Sequence, residues 1–319
     1  MVSIKIITIK CMETDDNKTC YPERSVAESK DLKGVTMKIL VTGVNGQLGH
    51  DVVKELNKRN IECVGVDIED FDITDKSKTK SFITNYKPNC VIHCSAYTAV
   101  DKAEDNPELC RRVNSEGTRN VAEACKEIDA KMVYISTDYV FSGTGEYEYE
   151  TDDPTEPLGV YGKAKLEGEI AVKETLDKYY IVRISWAFGK NGNNFVKTML
   201  RVGKERGEVN VVCDQIGSPT YTTDLASLLC DMAVTERYGI YHATNEGFCS
   251  WAEFAAEVFK QAGYATKVNF IPSSQFPSKA KRPLNSRMSK KSLDEAGFKR
   301  LPTWQDALGR YLIELEQRA

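Results

Sequence analysis

Histidine is scarce in this chain, with three in 319 residues, and none stands near a plausible nucleophile. The ten cysteines form no Cys-x-x-Cys pair and no Cys/His cluster of zinc spacing, which argues against a structural zinc site and a thiol redox motif. They are scattered through apolar stretches, as reduced residues filling small gaps in a core are. Cys90 and Cys94 would share a strand face four residues apart, too far along an extended chain to bridge. No apolar run approaches the roughly 18–20 residues of a membrane span. The first ten residues are interrupted by Lys5 and Lys10 and lack a small-residue cleavage site. Neither sign of charge dominates: 43 Lys and Arg against 47 Asp and Glu leave a net charge of −4. That balance speaks against nucleic acid as the main partner. The expectation is a soluble, cytoplasmic protein with no membrane partner.

What is present is an alternating pattern. Residues 1–36 are polar and without a convincing amphipathic element, and are expected to be a flexible extension or an over-long reading of the frame. Order begins at Met37. Short, β-rich, nearly continuous apolar runs at 38–42, 63–67, 89–93, 132–136 and 180–184 read as buried parallel strands. Between them, 47–59, 76–86, 108–128 and 163–175 have helical length and period. The order predicts an α/β, doubly wound parallel (Rossmann) sheet over 37–185. From 186 to 319 the pattern loosens into helices at 195–205, 222–233, 251–262 and 304–316, predicting a smaller, partly helical substrate-binding part, some of whose segments return to the sheet. Trp251, Phe254, Ala255, Val258 and Phe259 read as its core stripe. His93 and His242 read as packed residues, and His50 as outward-facing or capping the glycine turn.

Gly43, Gly46 and Gly49 lie three apart between the first strand and the first helix. Such a turn lets a pyrophosphate approach the backbone and sit at a helix N-terminus, where free N–H groups and the dipole favour an anion. Asp67 closes the second strand, where a carboxylate accepts hydrogen bonds from ribose hydroxyls. Its charge would repel a 2′-phosphate, favouring NADH over NADPH unless loop 68–72 turns it away.

Tyr161 and Lys165 stand at i and i+4, on one helical face. Twenty-four residues before Tyr161, the strand 133–135 ends in Ser136, Thr137 and Asp138, at the sheet edge where open α/β folds bind ligands. These residues, with the runs 43–49, 96–104, 136–141, 183–186, 214–220 and 282–286, resemble the extended short-chain dehydrogenase/reductase superfamily, and within it the dTDP-4-dehydrorhamnose reductase family. The likeness runs from Met37 to near the C-terminus. It implies hydride transfer from NADPH or NADH to the C4 ketone of a dTDP-linked 4-keto-6-deoxy sugar, the last step of dTDP-L-rhamnose synthesis.

By the same resemblance, Tyr161 is the proton donor, Lys165 lowers its pKa and holds the nicotinamide ribose, and Thr137 orients the carbonyl, with Asp138 beside it at the sugar. Gly46, Gln47 and Leu48 would contact the cofactor phosphates, Asp67 the ribose, Asp72 and Ile73 the adenine, and Ala96, Tyr97 and Thr98 the stretch leading to the nicotinamide. Trp186 falls where the family packs an aromatic against the sugar, and Arg282, in the basic loop 279–282, suits the substrate diphosphate. A homodimer is implied. Family members can carry Mg²⁺ at a carboxylate dimer contact, but those positions do not match here residue by residue, so no metal ligand is assigned. The family's usual Asp-Gly after 139–141 is Ser142-Gly143.

Rival readings remain. Sugar-nucleotide 4,6-dehydratases need an acid pair after the threonine, whereas Asp138 is followed by Tyr139. Another nucleotide-sugar reductase or a 4-epimerase stays open, as does a non-catalytic dinucleotide-binding subunit like the β subunit of methionine adenosyltransferase.

Overall fold

A computed structural model describes residues 37–316, so the extension expected at 1–36 lies outside the described residues. Six parallel strands form the central sheet: β1 (Lys38–Thr42), β2 (Glu62–Val66), β3 (Cys90–His93), β4 (Lys131–Thr137), β5 (Tyr179–Ile184) and β6 (Gly239–His242). Their order across the sheet is β6-β5-β4-β3-β1-β2. The chain therefore leaves β1 to one side for β2 and returns to the other side for β3. That reversal opens a crevice above the carboxyl ends of β1 and β3, where folds of this kind take ligands.

Continuous hydrophobicity in the strands follows from burial on both faces. Ile39, Val41, Ile92, Val133 and Val182 pack with α1 (Gln47–Lys58) and α5 (Thr222–Ala233) on one side. The alternate residues Leu40, Val91, Met132 and Ile181 pack with α2 (Lys76–Tyr86), α3 (Thr118–Glu127) and α4 (Val160–Thr175) on the other. Removing each such Leu, Ile or Val from water contributes about 1.5–3 kcal/mol. Leu48, Val52 and Leu56, spaced i, i+4, i+8, give α1 its buried stripe.

Two details depart from periodicity. The helix at 222–233, grouped above with the second part, packs on the sheet as α5 and leads directly into β6. The single helix expected over 108–128 is three segments: Pro107–Arg111, a π-helical Arg112–Gly117, and α3. The wide π turn contains Asn114, whose side chain serves the site described below. The helices Phe195–Glu205, Trp251–Gln261 and Trp304–Glu316 build a second core with Phe188 and Tyr221. Alongside, Glu208–Val212 and Lys267–Ile271 pair in parallel.

The eight cysteines among the described residues are free, Cys90 and Cys94 included. No helix of the described residues is long and apolar enough to cross a membrane.

Candidate active site

The carboxyl ends of β1 to β5 open into a cavity of about 790 Å³, with Trp186 and Trp251 also in its wall. One end is the glycine turn. Gly43 has φ +73, and a Cβ there would lie 2.7 Å from the Ser95 backbone nitrogen; at Gly49 it would lie 2.3 Å from the Gly43 carbonyl oxygen. Only glycine lets β1, the segment after β3 and the start of α1 come this close. No side chain caps the N-terminus of α1, so the helix end is left for an anion. Asp67 accepts from the Asn45 backbone N–H and from its neighbour Ile68, both at 2.8 Å, which holds its carboxylate at the turn. Asp72, Ile73, Ala96 and Thr98 continue the lining, as do Gly46, Gln47 and Leu48. The Gln47 amide oxygen accepts from the Gly189 N–H and from Asn194, each at 2.9 Å, so its side chain ties the turn to the loop after Phe188.

At the other end α4 lies along β4. Thr137, Asp138, Tyr161 and Lys165 all line the cavity. Lys165 Nζ donates to the Ile135 carbonyl oxygen at 2.7 Å and sits 4.1 Å from the centre of the Tyr134 ring. Burial lowers its pKa to about 7, with the nearby Glu169 charge acting the other way. Tyr161 stacks edge-on against Tyr139, with 5.5 Å between ring centres. Burial, and then the Asp138 charge, hold its phenol well above the ordinary range, while the Thr137 hydroxyl pulls it back. The resemblance implied the opposite shift, through Lys165. Here the ammonium gives one of its three N–H groups to a backbone carbonyl, and desolvation dominates the phenol. Asp138 is raised to about 6 by burial, against hydrogen bonds from Ser286 and Thr137.

Three expected residues stand elsewhere or do more than expected. The Tyr97 ring packs with Ala103, Cys110 and Ala164 rather than lining the cavity, while its backbone N–H and C=O both bond the Asn114 side chain, at 2.8 and 3.0 Å. Arg282 is also outside the lining: its guanidinium forks onto Asp101, with Nη2 2.7 Å from Oδ2. Trp251, read as core, does pack on the second core and also stacks on Trp186 with 3.7 Å between ring centres and a 16° tilt, so that it borders the cavity too, and Trp186 itself adopts φ +49. Phe254, Ala255, Val258 and Phe259 are core, as the period implied.

His93 bonds Thr42 at 2.8 Å and is held neutral, its pKa pushed down to about 3 by burial and then by the Lys165 charge. His242 is buried against Ser289 and Arg183, and His50 is exposed.

Sequence reasoning missed the buried support. Glu169 accepts from Arg183 through both oxygens, at 2.9 and 2.8 Å, and from Ser136 Oγ at 2.6 Å. Its position eight residues after Tyr161 put it on the same helical face and could have revealed it. Nothing local marks Asn114 or Ser286. Among the described residues no group of three His, Cys, Asp or Glu side chains is placed to hold a metal ion.

Comparison with known proteins follows the same outline. The profile of a family described as RmlD substrate binding domain matches residues 37–317. A dTDP-4-dehydrorhamnose reductase of Aggregatibacter actinomycetemcomitans is 41% identical over 285 residues, 85% of this chain and 97% of the relative. The spore coat polysaccharide biosynthesis protein SpsK of Bacillus subtilis is 38% identical over 277 residues, 87% of this chain and 97% of its own. A crystal structure of dTDP-4-dehydrorhamnose reductase from Bacillus anthracis, in complex with NADP, superposes with a TM-score of 0.86 at 43% identity, covering 88% of this chain and 100% of that one.

Proposed function

The chain belongs to the RmlD substrate-binding-domain family, that of the dTDP-4-dehydrorhamnose reductases, and on that premise we propose that it reduces the C4 ketone of dTDP-4-dehydro-L-rhamnose to dTDP-L-rhamnose. The observation that carries this reading is the meeting of Thr137, Tyr161 and Lys165 in the same cavity as an uncapped glycine turn.

NADPH or NADH, when bound, supplies the hydride. The turn fits such a dinucleotide, since side chains at Gly43 and Gly49 would occupy the backbone approach a pyrophosphate needs. Gly46 and Leu48 would hold its phosphates, Asp67 its adenosine ribose, Asp72 and Ile73 its adenine, and Ala96, Thr98 and Lys165 the nicotinamide end.

As the C4 oxygen of the sugar gains negative charge, Tyr161 donates its proton and the ketone becomes an alcohol. Burial keeps the phenol protonated throughout the neutral range, so the donor is always loaded. What drives the transfer is the far greater basicity of the forming alkoxide. By the same resemblance Lys165, one turn further along α4, would supply the cation that limits the cost of leaving the phenolate charged in a buried site. Thr137 positions the reacting oxygen. Trp186, backed by Trp251, supplies an aromatic wall for the sugar. Arg282 would reach a diphosphate only by giving up Asp101.

Free cysteines and a nucleotide-linked substrate support a reducing, cytoplasmic setting. The homodimer that the resemblance implies is checked by light scattering. The function is tested by absorbance at 340 nm with NADH or NADPH and a panel of nucleotide-linked 4-keto sugars. Loss of absorbance with the dTDP-linked sugar is expected. Dinucleotide binding without oxidation would instead indicate a regulatory subunit.

A further inference from the structure

Trp186 adopts φ +49, a left-handed conformation that bulky side chains rarely enter. Among the described residues three other non-glycine positions have positive φ, namely Asn60, Lys87 and Asp129, and each closes the end of a helix. That is an ordinary place for such a backbone. Trp186 instead follows strand β5, so its conformation has no such local cause. A backbone in this state persists only where its surroundings hold it from several sides.

They do so here. Ser185, just before it, donates from Oγ to the Ser218 carbonyl at 2.7 Å, and its own carbonyl accepts from Thr220 Oγ1 at 2.6 Å. The Trp186 carbonyl accepts from the Thr220 N–H at 3.2 Å, and Ala187, just after it, pairs with Thr220. Ser218 is fixed in turn, its Oγ donating to the Gly247 carbonyl at 2.7 Å. The run 214–220, which carries part of the family resemblance, thus moulds one backbone conformation. The ring is held as well. Trp251 lies over it in the stack described above, and both rings border the cavity. Trp251 is the first residue of its helix, and a reciprocal cap fixes that start: Ser250 Oγ accepts from the Glu253 N–H at 3.1 Å, and the Glu253 carboxylate from the Ser250 N–H at 2.7 Å. A Cβ at Gly217 would lie 3.1 Å from Cε2 and Cζ2 of the Trp186 indole, tighter than side-chain carbons usually pack, so the ring seats because that residue is glycine.

We propose, resting on the reductase reading, that Trp251 is a positioning residue for sugar recognition: it holds Trp186 in the conformation that presents its indole to the sugar, and acts on the sugar only through Trp186. Without the stack, Trp186 is free to relax toward ordinary negative φ. Sugar affinity then falls in proportion to the fraction of molecules that keep the competent conformer. The glycine turn makes none of these contacts, so dinucleotide affinity is untouched.

The test measures Kd for dTDP and for dTDP-L-rhamnose by calorimetry with NADH saturating, where the alcohol product cannot be reduced further. The ratio of the two constants reports what the sugar contributes. Trp186→Ala and Trp251→Leu should each lower that ratio about tenfold, and Trp251→Phe, which keeps a ring on the stack, about threefold. Affinities for dTDP and NADH should stay within twofold. In the Trp186→Ala background, Trp251→Leu or Trp251→Phe should change the ratio no further, because a residue that acts through another loses its effect when that other is gone. A further loss in that background shows direct contact between Trp251 and the sugar, and overturns the proposal. So does an unchanged ratio, or an equal loss of NADH affinity, which marks a purely structural role. Should Trp251→Leu not fold, Trp251→Phe carries the same cycle. The chain has three tryptophans, so indole N–H resonances give a readout free of sugar: the Trp186 signal, assigned with Trp186→Phe, should be single in the unaltered chain and broadened or doubled in Trp251→Leu. If no keto sugar is reduced yet the ratios follow this pattern, the reductase reading fails and the positioning role stands. If the keto sugar is reduced and the ratios do not move, the positioning role fails alone.

Discussion

Lys165 Nζ reaches the Ile135 carbonyl oxygen at 2.7 Å, and one turn further along α4 Glu169 accepts from Ser136 Oγ at 2.6 Å. One face of one helix thus grips two successive residues of β4, and Thr137 is the next. Thr137 and the Tyr161-Lys165 pair are held in register by this contact, which places a cation where burial works against it.

The pH dependence follows from that cation. Its pKa lies below the ordinary lysine value, at about 7, so the charged form prevails below that pH and is lost as pH rises through it. Dinucleotide affinity and kcat/KM are expected to fall above about pH 7, approaching tenfold per pH unit. Equilibrium binding of NADH and initial rates between pH 6 and 9 measure this. A flat profile up to pH 9 would show that the free enzyme does not depend on a Lys165 of lowered pKa.

Tyr161→Phe removes the proposed proton donor and leaves the ring's packing against Tyr139. It should lower kcat by about two orders of magnitude or more, with NADH affinity nearly intact. Lys165→Ala should weaken both. Near-normal turnover by Tyr161→Phe would remove Tyr161 from the mechanism.

Glu169 and Arg183 are 0% and 2% exposed and bond through two parallel contacts. Glu169→Gln leaves the guanidinium buried without its counter-charge, which should cost about 3–5 kcal/mol of stability. Replacing both residues with apolar ones of similar volume should cost much less. Urea denaturation of the single and double variants decides it, and equal losses in the two would contradict a paired-charge account.

Cofactor choice rests on the loop after β2. Asp67, Glu69, Asp70 and Asp72 fall within six residues that contain no Lys or Arg, and Asp67 is tied to the Asn45 N–H. A 2′-phosphate would meet this negative field, so NADH is expected to bind at least tenfold more tightly than NADPH. Asp67→Ser should narrow the gap. Calorimetry with both dinucleotides tests it, and tighter binding of NADPH by the unaltered chain would reject it.

Much of the fold could be read from local pattern because its determinants are local. Strands buried on both faces must be apolar throughout, and helices on a sheet must repeat every three to four residues, so 38–42 and 47–59 announce β1 and α1 almost to the residue. The glycine turn is legible for the same reason: backbone conformation and close approach admit few residue types. The π turn at Arg112–Gly117 was hidden, since one added residue in a helical turn barely disturbs the hydrophobic period. Trp251 lies on the helical stripe and packs on the core as the period implies, but period alone cannot say that the first residue of a stripe also borders a cavity.

By itself the amino-acid order determined the parallel α/β sheet, the dinucleotide turn and the Tyr161-Lys165 face, each a matter of spacing within one or two elements. Only the tertiary structure decided that Ser286 meets Asp138, that Arg183 neutralises Glu169, that Trp251 backs Trp186 and that Arg282 is held by Asp101. Hydrogen bonds and stacking act over a few ångströms, and which distant residues come within that range is settled by how the layers pack.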